Sequence, residues 1–154
     1  MRIFKKLEDH TDIFTCPGVK THPDYKNLLN SAIKATNLGY KVYLLPNPTT
    51  TQSGDMILAR KGYIGLYDLK TISGKNSIGN RLEGSIGQSN KVLLNISTDL
   101  NPRVVAKAIK HYFEENKDAQ RVLIFKGKKE ILIKRKSVDK NFQQSFLSLW
   151  AKKK

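Results

Sequence analysis

Two acids and a lysine stand out in the stretch SGDMILARKGYIGLYDLKTIS, residues 53–73. Asp68 and Lys70 are two residues apart in a run otherwise rich in apolar side chains, among them Ile64, Leu66, Leu69 and Ile72. Strand side chains repeat with a period of two, so Asp68 and Lys70 share one face of a sheet. Upstream, Lys61-Gly62 reads as a two-residue hairpin turn. Arg60 then faces Tyr63, Ile57 faces Leu66, and Asp55 faces Asp68. Facing residues have Cβ atoms about 4.5–5.5 Å apart, and like charges at that distance repel. Lys70 relieves the repulsion in part. A divalent cation between the carboxylates relieves it more, because hard cations take oxygen ligands. The constellation predicts metal-assisted hydrolysis. Asp55 and Asp68 would hold Mg²⁺, with Mn²⁺ or Zn²⁺ as alternatives. The ion would polarise a phosphoryl oxygen and activate a water, with Lys70 orienting that water or offsetting charge. Two points stay open at this level. Lys-Gly is not a favoured type I′ pair, and a bulge would slip the register and leave the carboxylates diagonal. A plain Asp68–Lys70 ion pair on an edge strand is the competing reading.

The elements that must position these residues follow from periodicity. Pro23 to Gly39 carries Tyr25, Leu28, Leu29, Ala32, Ile33 and Ala35 at helical spacing. YKVYLLP is a strand, NPTTTQSG a polar loop, and DMILAR-KG-YIGLYDLKTI a hairpin. SIGNRLEGSIGQS predicts a glycine-weakened helix with Ile78, Leu82 and Ile86 on one face. KVLLNIS predicts a buried strand, and NPRVVAKAIKHYFEENKD an amphipathic helix with Pro102 in its first turn. A second hairpin, QRVLIFKGKKEILIKR, precedes a closing helix whose Phe142, Phe146, Leu149 and Trp150 should dock on the core. Strands alternate with helices, which predicts an α/β fold: a mixed central sheet flanked by helices, in the order α-β-β-β-α-β then α-β-β-α. Residues 1–20 read as an irregular extension ending in the turn signal CPGVK, and 21–154 as one domain.

The 154 residues carry a formal net charge of +15. The surplus is uneven, with 15 basic and 5 acidic residues in 101–154, or +10 of that total. Such a field points to a polyanionic partner, nucleic acid before membrane or acidic protein. No stretch has the length or apolarity of a membrane span, so no stable membrane insertion is expected. Cys16 is the only cysteine, which leaves no intrachain disulfide or cysteine zinc cluster and points to a reducing compartment without a disulfide-linked partner.

Several other residues invite a chemical reading. SGKNS (73–77) lacks the first glycine of a P-loop, since Leu69 stands there, and Asn76 replaces the Mg²⁺-binding hydroxyl. Lys75, Asn76, Ser77 and Arg81 are instead candidates for gripping a phosphate at a helix start. Glu83 reads as solvated, His111 as a helix-face residue, and Tyr112 and Phe113 as core. The run KGKKEILIKRK (126–136) places positive charge along a strand edge, protecting it from aggregation or tracking a phosphate backbone.

Read together, an Asp after a polar loop, a hairpin to Asp-x-Lys, a Lys/Asn/Ser loop, a helix ending near Gln88 and an apolar strand resemble the PD-(D/E)XK nuclease core. Residues 24–135 are similar to the C-terminal tRNase domain of contact-dependent growth inhibition toxins. The resemblance implies Asp55 and Asp68 as metal-binding acids, Lys70 as catalytic lysine and Gln88 as a supporting polar residue. It implies cleavage of tRNA in the cytoplasm of a target bacterium, after delivery from the surface of, or secretion by, the producing cell. It also implies neutralisation by a cognate immunity protein, expected to be acidic. The family pattern includes a glutamate in the first helix. This sequence has none between Pro23 and Gly39, where Asn30 stands nearest. A DNase of the same fold, and a nucleic-acid-binding module with impaired catalysis, are the alternatives.

Overall fold

The computed structural model describes residues 4–16, 18–19, 24–45, 55–74, 78–84 and 90–152. Its elements are β1 (Lys5–Lys6), β2 (Ile13–Thr15), α1 (Tyr25–Asn37), β3 (Lys41–Leu44), β4 (Met56–Arg60), β5 (Tyr63–Ile72), α2 (Ile78–Glu83), β6 (Lys91–Ile96), α3 (Pro102–Glu115), β7 (Arg121–Lys126), β8 (Lys129–Lys134) and α4 (Phe142–Ala151). Parallel and antiparallel pairs both occur, so the fold is mixed α/β. Among the described residues from α1 onward, helices and strands alternate in blocks, with a 3-10 turn at Arg135–Ser137 before α4. The chain divides into two units, Met1–Leu69 and Lys70–Lys154. Among the described residues, no helix is long and apolar enough to cross a membrane.

In the first unit β1 pairs antiparallel with β2, β2 parallel with β3, and β3 antiparallel with β4. The sequence reads residues 1–20 as irregular; among the described residues there, β1 and β2 form a paired ladder. Ile13, Cys16 and Val19 are buried. Phe14 stacks on its register partner Tyr43 with ring centroids 5.0 Å apart, and Phe4 meets the same ring edge-on at 5.2 Å. A cross-strand aromatic pair of this kind holds a short strand in place. Helix α1 buries Leu28, Ser31, Ala32 and Ala35, and the Ser31 hydroxyl donates to the Leu28 carbonyl at 2.9 Å. Ile33, expected on the buried face, is 37% exposed.

The β4–β5 hairpin turns at Lys61 and Gly62, with φ of 49° and 83°. Positive φ at both central positions is the signature of a type I′ turn, whose twist matches that of the strands. The pairs run from Arg60–Tyr63 through Ile57–Leu66 to Met56–Tyr67. Along β5, Gly65, Tyr67 and Leu69 are buried, while Ile64 and Leu66 are exposed and Asp68 half-buried. Tyr63 folds back over Gly65 so that its hydroxyl lies 2.9 Å from that of Tyr67. A Cβ at position 65 would sit 2.1 Å from the Tyr63 hydroxyl oxygen, so only glycine fits beneath the ring.

In the second unit β6 and β7 are parallel and β7 and β8 antiparallel. The last residue of β5, Ile72, accepts the Ser97 backbone N–H at 3.0 Å and the Ser97 hydroxyl at 3.3 Å. The core gathers Ile72, Ile78, Leu94, Ile109, Tyr112 and Phe146. Asn101 caps α3 by accepting the Arg103 N–H at 2.9 Å, just before Pro102. Phe142 and Phe146 are buried and Trp150 packs against them, whereas Leu149, expected in the core, is exposed.

Cations close three helix ends. Arg60 donates to the Leu38 carbonyl beyond α1 at 3.0 Å, with its guanidinium 4.0 Å from the Tyr40 ring centroid. Lys129 donates to the Trp150 and Lys152 carbonyls at the end of α4. Burial first, then the charges of Lys126 and Lys152, lowers the Lys129 pKa. Arg135, placed by the sequence on an exposed basic edge, is exposed, and its guanidinium reaches the end of α3. It donates to Ala119 O at 2.9 Å, to Phe113 O at 3.2 Å and to Asn116 O.

Two stability predictions follow from this geometry. Lys61 occupies the left-handed region, where a Cβ crowds the backbone and which asparagine tolerates better than lysine. Lys61→Asn should raise the urea unfolding midpoint, by about 0.5–1 kcal/mol of stability; a lower midpoint would contradict the turn assignment. Arg135→Ala leaves three carbonyls without their charge-assisted donor and should cost about 2 kcal/mol. Arg135→Lys should restore only part, because an ammonium cannot reproduce the planar fork.

Candidate functional site

The β4–β5 ladder stops at Met56–Tyr67. Asp55 donates its own backbone N–H to the same residue, Tyr67 O, at 2.8 Å, while its carbonyl accepts Leu45 N–H at 3.1 Å. Two residues of one strand thus address one of the other, the arrangement of a β-bulge. The expected face-to-face pair of Asp55 and Asp68 does not extend the ladder. The Asp55 carboxylate reaches across instead, and Oδ2 accepts the backbone N–H of Leu69 at 2.8 Å. Leu69 is the residue between Asp68 and Lys70. One acid therefore grips the backbone at the centre of the Asp-x-Lys tripeptide. The Leu69 side chain is buried, and Asp68 and Lys70, half-buried, take the other side of the strand.

A carboxylate offers about four lone-pair positions, so the bond from Leu69 does not exhaust Asp55. Among the described residues no group of three or more His, Cys, Asp or Glu could hold a metal ion. Two carboxylates do not make a closed structural zinc site. They do suit a hard ion such as Mg²⁺, which commonly keeps several waters and takes one or two carboxylates from the protein. Asn30, nearest to the family's first-helix acid, is exposed on α1. On the same helix, burial lowers the Lys34 pKa.

Lys70 opens the second unit. Within that unit the Arg81 guanidinium of α2 donates to the Thr71 carbonyl at 3.2 Å, next along the chain from Lys70. The buried Thr71 hydroxyl beside it has no hydrogen-bond partner. The structure thus ties Arg81 to the end of β5, while Lys75, Asn76, Ser77 and Gln88 lie outside the described residues. Sequence reasoning missed Thr71, which a strand pattern gives no reason to single out. It also missed the pairing of Glu83 with His111, whose Oε2 and Nε2 are 3.3 Å apart with both side chains more than half exposed. The two residues are 28 positions apart on different helices, so no local spacing reveals them.

No family model and no curated protein matches the chain. A solved structure described as a CdiA-CT/CdiI toxin and immunity complex from Burkholderia pseudomallei is similar to it at 18% identity and a TM-score of 0.49, over 84% of this chain and 94% of that chain.

Proposed function

We propose that the protein is a metal-dependent endonuclease of the PD-(D/E)XK type, acting on RNA as a toxin domain. The observation that carries this reading is the bond from Leu69 N–H to the Asp55 carboxylate, which fastens a second acid to the backbone between Asp68 and Lys70. The sequence pattern from Asp55 to Lys70 supports it, as does the surplus of positive charge. The sequence resemblance to toxin tRNase domains favours tRNA as substrate and an acidic immunity protein as partner.

In this reading Asp55 and Asp68 hold a divalent cation. Such an ion lowers the pKa of bound water and neutralises charge gathering on the phosphoryl oxygens. Lys70, on the Asp68 face of β5, donates to the attacking water or to a non-bridging oxygen. Arg81, anchored on the Thr71 carbonyl, offers its remaining donors to a neighbouring phosphate. The Asp55 bond to Leu69 fixes the first acid relative to the tripeptide, so substrate binding need not organise it.

Purified protein should cut tRNA in Mg²⁺ and stop in EDTA, while plasmid DNA of equal mass stays intact. Cutting that persists in EDTA would remove the metal from the mechanism, and preferential cutting of plasmid would make the protein a DNase. Asp68→Asn should lower the cleavage rate by at least about a hundredfold, and wild-type turnover in that variant would discard the site. Asp55 needs two substitutions, because it also closes the ladder. Asp55→Asn keeps an oxygen for Leu69 N–H and should lose activity with little change in stability. Asp55→Ala should lose activity and about 1–2 kcal/mol of stability, as expected when a partly buried donor is orphaned. Equal unfolding midpoints for the two variants would show that the Leu69 bond contributes nothing.

A further inference from the structure

We propose that a cleft between α3 and the start of α4, about 410 Å³ in volume, is a binding site for the phosphodiester backbone of a nucleic acid. The proposal rests on the nucleic-acid reading above and adds a place, away from the acids, where the chain is held. Lys107, Lys110, His111 and Glu114 line one wall. Their spacing of three and four residues puts them on a single stripe of α3. Lys140 and Gln143 form the opposite wall, over the buried ring of Phe142.

The electrostatics favour an anion. Lys107, Lys110 and Lys140 are exposed, and none has an ion-pair partner among the described residues. That distinguishes them from Arg60, Lys129 and Arg135, whose charges are taken up by helix carbonyls. Neither α3 nor α4 has an acid in its first turn, and Asn141 does not cap α4 with its side chain. At the α4 start the Asp139 carboxylate accepts Asn141 N–H at 2.9 Å and offsets part of the helix-end charge, so the exposed lysines carry the field.

The mixture of groups favours a nucleic acid over an acidic peptide. Three ammonium groups suit phosphate oxygens. Glu114 on the same wall would repel a carboxylate-rich side chain, and it can accept from a sugar hydroxyl or a base amine. A nucleotide carries both kinds of group; Asp and Glu side chains carry acceptors only.

The test uses full-length Asp68→Ala protein in EDTA, so that nothing is cut, and fluorescence anisotropy with a labelled single-stranded RNA over a range of salt. Replacing Lys107, Lys110 and Lys140 together by Gln should weaken binding at least about tenfold. It should also reduce the slope of log affinity against log salt by about 2, the value for three phosphate contacts on a single strand. A control triple, Lys26, Lys41 and Lys117 to Gln, removes equal charge from exposed positions outside the cleft and the basic run 126–136, and should lose less than a third as much. Should the triple fold poorly by thermal unfolding, Lys110→Glu alone should still weaken binding more than Lys117→Glu. Equal losses for the two triples, or no loss for the cleft triple, would overturn the proposal. So would competition by polyglutamate as strong as by RNA of equal charge, which would assign the cleft to an acidic protein. Cleavage by the wild-type protein without any effect of the cleft triple would remove this site alone. Binding that depends on the cleft in a protein that cuts nothing would remove the nuclease and leave the site.

Discussion

The two-residue turn at Lys61-Gly62 decides which side of β5 every later residue occupies. With Arg60 paired to Tyr63, the buried side takes Gly65, Tyr67 and Leu69, and the other side takes Asp68. A slip of one residue would exchange the two sets, burying the charged side chain and exposing Leu69. The bulge at Asp55 belongs to the same constraint. By spending its backbone N–H on Tyr67, Asp55 frees its carboxylate to reach the next donor of β5 rather than pair with Asp68 across the ladder. Two like charges are thereby spared a forced opposition, yet the acid stays within one hydrogen bond of the Asp-x-Lys backbone.

Charge is used in two distinct ways. Arg60, Arg135 and Lys129 each leave a strand or its edge to reach the carbonyls at the end of a helix, where the macrodipole favours a cation. Arg60 and Arg135 also lie over aromatic rings, at 4.0 and 5.5 Å from the centroids of Tyr40 and Phe113. These charges join strand to helix and belong to the fold. The exposed lysines of α3 and the α4 start have no such employment, and it is they that produce an outward field. The net charge of +15 therefore overstates what is available to a partner, and the distribution of its bonded and unbonded members matters more than its size.

Much of the architecture is legible because it is written in local period. Leu28, Ala32 and Ala35 recur at helical spacing, β5 alternates, and Pro102 with Asn101 marks the start of α3. What is illegible depends on pairing at a distance. β1 and β2 are two and three residues long, too short for any alternation, and β2 is held by Phe14 meeting Tyr43 on a parallel neighbour. Arg135 reads as one more residue in a basic run, because nothing local says that three carbonyls of the α3 end lie within its reach. In the candidate site, the residue types were legible and the register nearly so. The turn chemistry left a bulge open, and the bond from Asp55 N–H to Tyr67 O puts it at Asp55.

Three departures from an ideal hairpin meet in the β4–β5 pair. Lys61 takes a left-handed conformation that costs a non-glycine residue free energy, Asp55 breaks the ladder, and Ile64 is 71% exposed at the turn end of β5. A hairpin selected for stability alone would carry Asn at the turn, a regular ladder and polar residues on its open side. Local rules broken together in one element are expected where a site constrains the chain. Lys61 and Ile64 lie at the turn end, whereas Asp55, Asp68 and Lys70 lie at the other. The hairpin thus holds its acids at the end where the ladder gives way, because only there can a side chain replace a strand carbonyl as the acceptor for β5. Its regular middle, from Ile57 to Ala59, supplies the rigidity that such a replacement requires.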